Sequence, residues 1–137
     1  MILIDTSVLI DFLKGVQNTK TELFELALNQ QIPYGIASYT YQEVLQGARD
    51  KNEYDKLNEY LSTQNIYLLP EVIETYEKAA RMFFTLRRQG VTPRSTIDVL
   101  IALTAIEYNL FLLHNDRDFD IIAEKTVGLK ILNKLYD

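Results

Sequence analysis

Cysteine is absent from the 137-residue chain, which removes disulfides, thiolate metal sites and cysteine nucleophiles together. Histidine occurs once, so any bound metal must rest almost wholly on oxygen ligands, the preference of hard cations. No basic leader precedes the first apolar run, and Asp5 and Asp11 interrupt the opening MILIDTSVLIDFLKG. That pattern argues against a signal peptide or membrane span and leads us to expect a cytoplasmic protein. No Ser/Gly/Pro-rich stretch marks a disordered linker, and no internal repeat appears. Basic residues are also short: 14 Lys and Arg against 19 Asp and Glu leave a net charge of -5. That balance argues against a whole-surface electrostatic grip on nucleic acid.

What is present suits one globular unit. The length matches a single domain over residues 1–137, and 47% hydrophobic with 24% charged residues is an average soluble composition. Met1 to Ile4 reads as a short strand, after which Val8, Leu9, Phe12 and Leu13 repeat at helical spacing until Gly15. Thr19 to Gln31 reads as a second helix and Tyr34 to Ala37 as a second strand. Ser38 or Thr40 can cap the next helix, and Thr40-x-x-Glu43 has capping-box spacing, which places Glu43 in a first helical turn. A polar helix over about Asp50 to Ser62, a strand from Ile66 to Leu69, and an amphipathic helix from Val72 to Gln89 stopped by Gly90 follow. Ser95-x-x-Asp98 repeats the capping spacing before an apolar helix from Val99 to Tyr108. Leu110 to Leu113 is a strand, a helix follows from about Phe119 to Glu124, and Leu129 to Leu132 is a last strand.

Strands alternating with helices imply an α/β fold with a parallel sheet covered on both faces. In such folds ligands gather beyond the carboxyl ends of the strands. Asp5, Glu43 and Asp116 all lie at or just past such ends. Carboxylates brought close repel one another unless a cation or a shared proton offsets them. Mg2+ or Mn2+ on two or three acids, with open positions facing a phosphate, is a phosphodiesterase arrangement. Taken singly, Glu43 and Asp98 read equally well as acids favoured at helix starts. Asp5 is harder to dismiss, because an acid at an apolar strand-to-helix junction has little packing role. Asp116, Asp118 and Asp120 crowd one turn, where at least one is simply solvated.

Four segments in order, DTSVLID at 5–11, YQEVLQGA at 41–48, STIDVLIALTA at 95–105 and LLHNDRDFD at 112–120, resemble the PIN domain. More narrowly, they resemble the VapC toxins of toxin–antitoxin modules. The resemblance implies a PIN-like three-layer α/β/α fold and a Mg2+- or Mn2+-dependent endoribonuclease acting as the toxin of a type II system. By that resemblance Asp5, Glu43, Asp98 and Asp116 are the catalytic acids, and Asp5, Asp98, Asp116 and Asp118 the metal ligands. Thr6 and Ser7 support them by hydrogen bonds. It also implies an RNA substrate, a VapB-like antitoxin and a homodimer. The chain departs from the pattern at His114, where family members often carry Thr or Ser; its role stays open between phosphate contact, proton transfer and structure.

Arg81, Arg87, Arg88 and Arg94 occupy a stretch free of acids, and Arg87, Arg88 and Arg94 are the candidate RNA contacts. Tyr34, Tyr39 and Tyr41 could stack on unpaired bases or serve packing. The apolar faces carrying Leu9, Phe12, Leu13, Leu23 and Phe24 could exceed what a small sheet covers. Two alternatives stand beside this reading. A HAD-like phosphatase or a receiver domain also places an Asp after its first strand, but Asp5-Thr6-Ser7 lacks the DxD of the former and no suitable acidic pair or lysine supports the latter. A PIN-fold RNA- or protein-binding module without a toxin role is the other.

Overall fold

A computed structural model describes residues 1–135; of the unit expected over 1–137, positions 136 and 137 lie outside the described residues. In chain order the elements are β1 (Ile2–Ile4), α1 (Thr6–Leu13), α2 (Thr19–Asn29), β2 (Tyr34–Ala37), α3 (Ser38–Gln46), α4 (Lys51–Ser62), β3 (Ile66–Tyr67), α5 (Ile73–Arg88), α6 (Thr96–Glu107), β4 (Phe111–Leu113), α7 (Arg117–Lys125) and β5 (Lys130–Ile131). The five strands form one sheet in the order β3-β2-β1-β4-β5, and each neighbouring pair is parallel. The order reverses at β1, so the crevice between the carboxyl ends of β1 and β4 is the topological switch point, where such sheets bind ligands.

Alternation along the strands sorts the core into two layers. Ile2, Ile4, Ile36 and Leu113 face one side and pack with Val8, Leu9, Phe24, Val44 and Leu61 from α1–α4. Leu3, Ala37 and Leu112 face the other and pack with Leu86, Ile101, Ala105, Phe119 and Ile122 from α5–α7. Strands buried on both faces read as continuous apolar runs, which is how ILI and FLL read. The result is the expected three-layer α/β/α fold. The apolar faces of α1 and α2 do not outrun it: Leu9, Leu23 and Phe24 are buried, while Phe12 and Leu13 are partly buried against them. Phe12 meets Phe24 with ring centroids 4.7 Å apart. Among the described residues, no helix is long and apolar enough to cross a membrane.

Four helices end in the same hydrogen-bonded reversal, with one residue in the left-handed region at Gly15, Gln31, Gly90 or Asn109. At the end of α5 the Gly90 N–H donates to Arg87 and the Val91 N–H to Leu86, the paired bonds of a Schellman motif. The Gly15, Gly90 and Asn109 stops match the sequence reading; Gln31 gave no such signal. Gly35 answers a different need. A Cβ there would lie 2.5 Å from both the Asn65 carbonyl oxygen and the Tyr67 ring, so β3 can pair with β2 only if this position is bare.

Several boundaries differ from the sequence reading. β3 covers only Ile66–Tyr67 rather than Ile66 to Leu69, and α7 starts at Arg117 rather than near Phe119 because Asp116 caps it. The larger correction concerns Glu43. β2 runs directly into α3, whose N-cap is Ala37 with no side-chain cap, so Glu43 is the sixth helical residue and not a first-turn acid. The Thr40 hydroxyl faces inward, fully buried, and caps nothing.

Candidate active site

Asp5 leaves β1 and becomes the N-cap of α1. Its Oδ2 accepts hydrogen bonds from the Ser7 N–H at 3.1 Å and the Ser7 hydroxyl at 2.6 Å. The Ser7 hydroxyl oxygen in turn accepts from the Asn115 N–H at 3.0 Å, tying the end of β1 to the segment after β4. Burial pushes the Asp5 carboxyl pKa up, the Ser7 bonds oppose that, and Glu43 adds to it by charge repulsion. One residue on, Thr6 donates to Glu43 Oε1 at 2.7 Å and lies 3.0 Å from the Thr40 hydroxyl. Glu43 thus reaches the site from the middle of α3 because Thr6 holds it there.

Asp98 sits in the first turn of α6, where Ser95 is the N-cap and accepts from the Ile97 N–H. The expected capping spacing therefore gives one cap bond, and the Asp98 carboxylate is left for the site. Its pKa is pushed up to about 6, first by burial and then by repulsion from Asp5, Asp116, Glu43 and Asp118. Those causes place all five acids in one electrostatic neighbourhood. Within it, Asp98, Asp116 and Asp118 each offer a carboxylate oxygen such that the three lie within 4.8 Å of one another. Asp5, expected among the ligands, is outside that trio, its Oδ2 bonded to Ser7.

Asp116 caps α7 by accepting from the Asp118 N–H at 3.0 Å. Arg94 lies across both acids: its Nε donates to Asp118 Oδ2 at 2.6 Å and its Nη2 to both Asp116 oxygens at 3.1 Å. The other two predicted RNA contacts lie elsewhere, in the last turn of α5. Arg88 stands 5.7 Å over the Phe84 ring, and Arg87 lines a groove with Phe83, Phe84 and Thr96. The tyrosines are committed to packing. Tyr34 meets Phe24 edge-on at 5.2 Å and donates to Gln64, the Tyr41 hydroxyl pairs with Asn58, and Tyr39 packs against the core on the α5–α6 side.

Three parts of this arrangement were missed in the sequence: the inward Thr40, the Asn115 amide and the role of His114. His114 is 2% exposed. Its Nδ1 accepts from the Asp116 N–H at 3.1 Å, and its Nε2 faces Asp120 Oδ1 at 3.1 Å. An acceptor Nδ1 puts the proton of a neutral ring on Nε2, which donates to Asp120. Both nitrogens are used in shaping the turn, so His114 is a brace under Asp116. Asp120, one of the three crowded acids, is the exposed one, while Asp116 and Asp118 are only partly so. Sequence offers no signal for these roles beyond a lone histidine before an acid-rich turn.

Comparison with known proteins identifies the family. The PIN domain family matches residues 2–125. The chain is 31% identical over 127 residues to VapC ribonuclease Mb1587 of Mycobacterium bovis, covering 92% of this chain and 94% of that protein. The figures are the same for ribonuclease VapC11 of Mycobacterium tuberculosis. In structure it resembles VapBC2 from Rickettsia felis bound to a promoter DNA fragment, with a TM-score of 0.74 at 20% identity over the whole of both chains. A toxin–antitoxin complex from Klebsiella pneumoniae gives 0.65 at 26% identity, covering 96% of this chain and 100% of that one. With its acids gathered at the switch point of a 3-2-1-4-5 parallel sheet, the chain belongs to the PIN domain family, in its VapC branch.

Proposed function

We propose that this protein is a divalent-cation-dependent endoribonuclease acting as the toxin of a type II toxin–antitoxin pair in the cytoplasm. The observation that carries the reading is the convergence of Asp98, Asp116 and Asp118 within 4.8 Å, with Asp5 and Glu43 beside them. Five carboxylates against one arginine leave an excess of negative charge, and with no thiol in the chain and both His114 nitrogens engaged, the donors here are hard oxygens. This donor set fits Mg2+ or Mn2+, with Asp98, Asp116 and Asp118 as holders and Asp5 completing the set. When bound, such an ion supplies neutralisation of a scissile phosphate and an acidified water for in-line attack.

The protein's own residues supply the rest. Ser7 fixes Asp5, and Thr6 holds one oxygen of Glu43, leaving its second oxygen to accept a proton from the attacking water. His114 fixes the Asp116 turn through the backbone. Arg87 and Arg88 extend from the end of α5 as phosphate contacts. A VapB-like antitoxin and a homodimer are the proposed protein partners, in keeping with neighbours that are VapBC and toxin–antitoxin complexes. Cleavage of a mixed RNA substrate in Mn2+ or Mg2+, absent in EDTA and absent in Asp5→Asn and Asp98→Asn, is the expected result. Full activity in EDTA or in both variants defeats the reading.

A further inference from the structure

The interactions of Arg94 are unusual for an RNA contact, since its guanidinium, though largely exposed, is paired with the acids. Both Asp116 oxygens and Asp118 Oδ2 already bond to it. Whichever Asp116 oxygen would ligate a cation is one that Arg94 holds. Among the described residues, the side chain's hydrogen bonds are these ion pairs alone and it is 71% exposed, whereas its backbone is anchored. Pro93 on one side is buried, Ser95 on the other is the N-cap of α6, and the segment from Gly90 to Pro93 borders α7 in a cleft with Asp118, Ile121 and Ile122. An anchored backbone carrying an exposed guanidinium held by ion pairs leaves the side chain able to swing.

We infer that Arg94 is a built-in counter-ion which occupies the cation's carboxylates in the metal-free protein and is released by metal binding to contact the RNA phosphate. This rests on the divalent-cation reading above. Two positive groups compete for the same lone pairs, so the metal's affinity is set partly by what it must displace. The freed guanidinium remains beside the site, tethered within one side chain's length, where a phosphate is the natural acceptor. Metal loading and substrate binding are thereby coupled: the ion both fills the site and frees the arginine.

The test measures Mn2+ binding calorimetrically in the full-length protein without RNA, for wild type, Arg94→Gln, Arg94→Lys and Asp98→Asn. Arg94→Gln should bind Mn2+ roughly five-fold or more tightly than wild type, the scale on which an exposed but multiply bonded ion pair competes. Arg94→Lys should fall between them. In saturating Mn2+, Arg94→Gln should bind a non-cleavable single-stranded oligonucleotide more weakly than wild type. Unchanged or weaker Mn2+ affinity in Arg94→Gln, with binding still lost in Asp98→Asn, overturns the counter-ion role alone. No Mn2+ binding in either wild type or Arg94→Gln overturns the cation reading and this inference with it.

Discussion

Replacing Asp98 with Asn should stabilise the metal-free protein and destabilise it relative to wild type once metal is present. The Asp98 pKa is raised from the ordinary 3.8 to about 6, so the folded state favours the protonated form. The penalty for ionising it is absent below the unfolded value and complete above about 6. Stability of wild type is therefore lost from this group as pH rises through that window. A displacement of about two pH units corresponds to about 3 kcal/mol, which partial hydration of a half-buried carboxyl reduces to about 1–2 kcal/mol. Urea unfolding in EDTA at pH 7.5 should show Asp98→Asn more stable by that amount, or by about 3–6 °C in Tm. The difference between the two proteins should shrink toward zero by pH 4, while titrations common to both cancel. Saturating Mn2+ should then reverse the order, because only wild type gains the linkage energy, about 2.7 kcal/mol at one hundred times Kd. A variant no more stable than wild type in EDTA at pH 7.5, or a gap independent of pH, would refute the argument that these acids strain the fold.

Other expectations follow from the same geometry. Gly35→Ala drives a methyl against the Asn65 carbonyl and the Tyr67 ring and should lower stability by about 1–3 kcal/mol in urea titrations; a neutral result means β3 is free to move. Gln31→Gly relieves a positive φ at the end of α2 and should raise stability by about 0.5–1 kcal/mol, with any loss counting against the Schellman reading. Arg87→Gln with Arg88→Gln should weaken RNA binding and flatten its dependence on salt by about two phosphate contacts; an unchanged slope removes them from the interface. Burial lowers the His114 pKa, so its contribution to stability is full above the unfolded value near 6.5 and is lost as pH falls below it. His114→Asn, which can keep an acceptor for the Asp116 amide, should flatten that acid limb in EDTA, and an unaltered limb would show that the ring does not carry it.

The acids that the fold gathers were more legible in the sequence than the arrangement around them. Asp5 stood out because nothing apolar explains a carboxylate after ILI, and Asp98 was legible as a first-turn acid because Ser95 precedes it at cap spacing. Gly15, Gly90 and Asn109 announced their helix ends through residues that tolerate positive φ. Gln31 takes the same conformation with no such residue, since the surrounding bonds override its preference. Glu43 was misplaced because capping spacing assumes a loop before the helix, and here β2 runs on into α3 without one. What Thr40, Asn115, His114 and Arg94 do depends on partners 34, 108, 6 and 22 or more residues away. Pattern and spacing along one segment carry no record of these partners, and they identify Arg94 by its charge alone.

Two of the site's acids are also the N-caps of their helices: Asp5 for α1 and Asp116 for α7. Asparagine caps a helix about as well as aspartate, whereas alanine forfeits about 1 kcal/mol of helix stability at such a position. An Asn substitution at either residue removes the charge and leaves the turn standing; an Ala substitution takes away both. Alanine scanning of this site would therefore count lost folding as lost chemistry. The variant best suited to trapping an RNA, or to serving as the folded control in an ion titration, carries amides where the carboxylates stood.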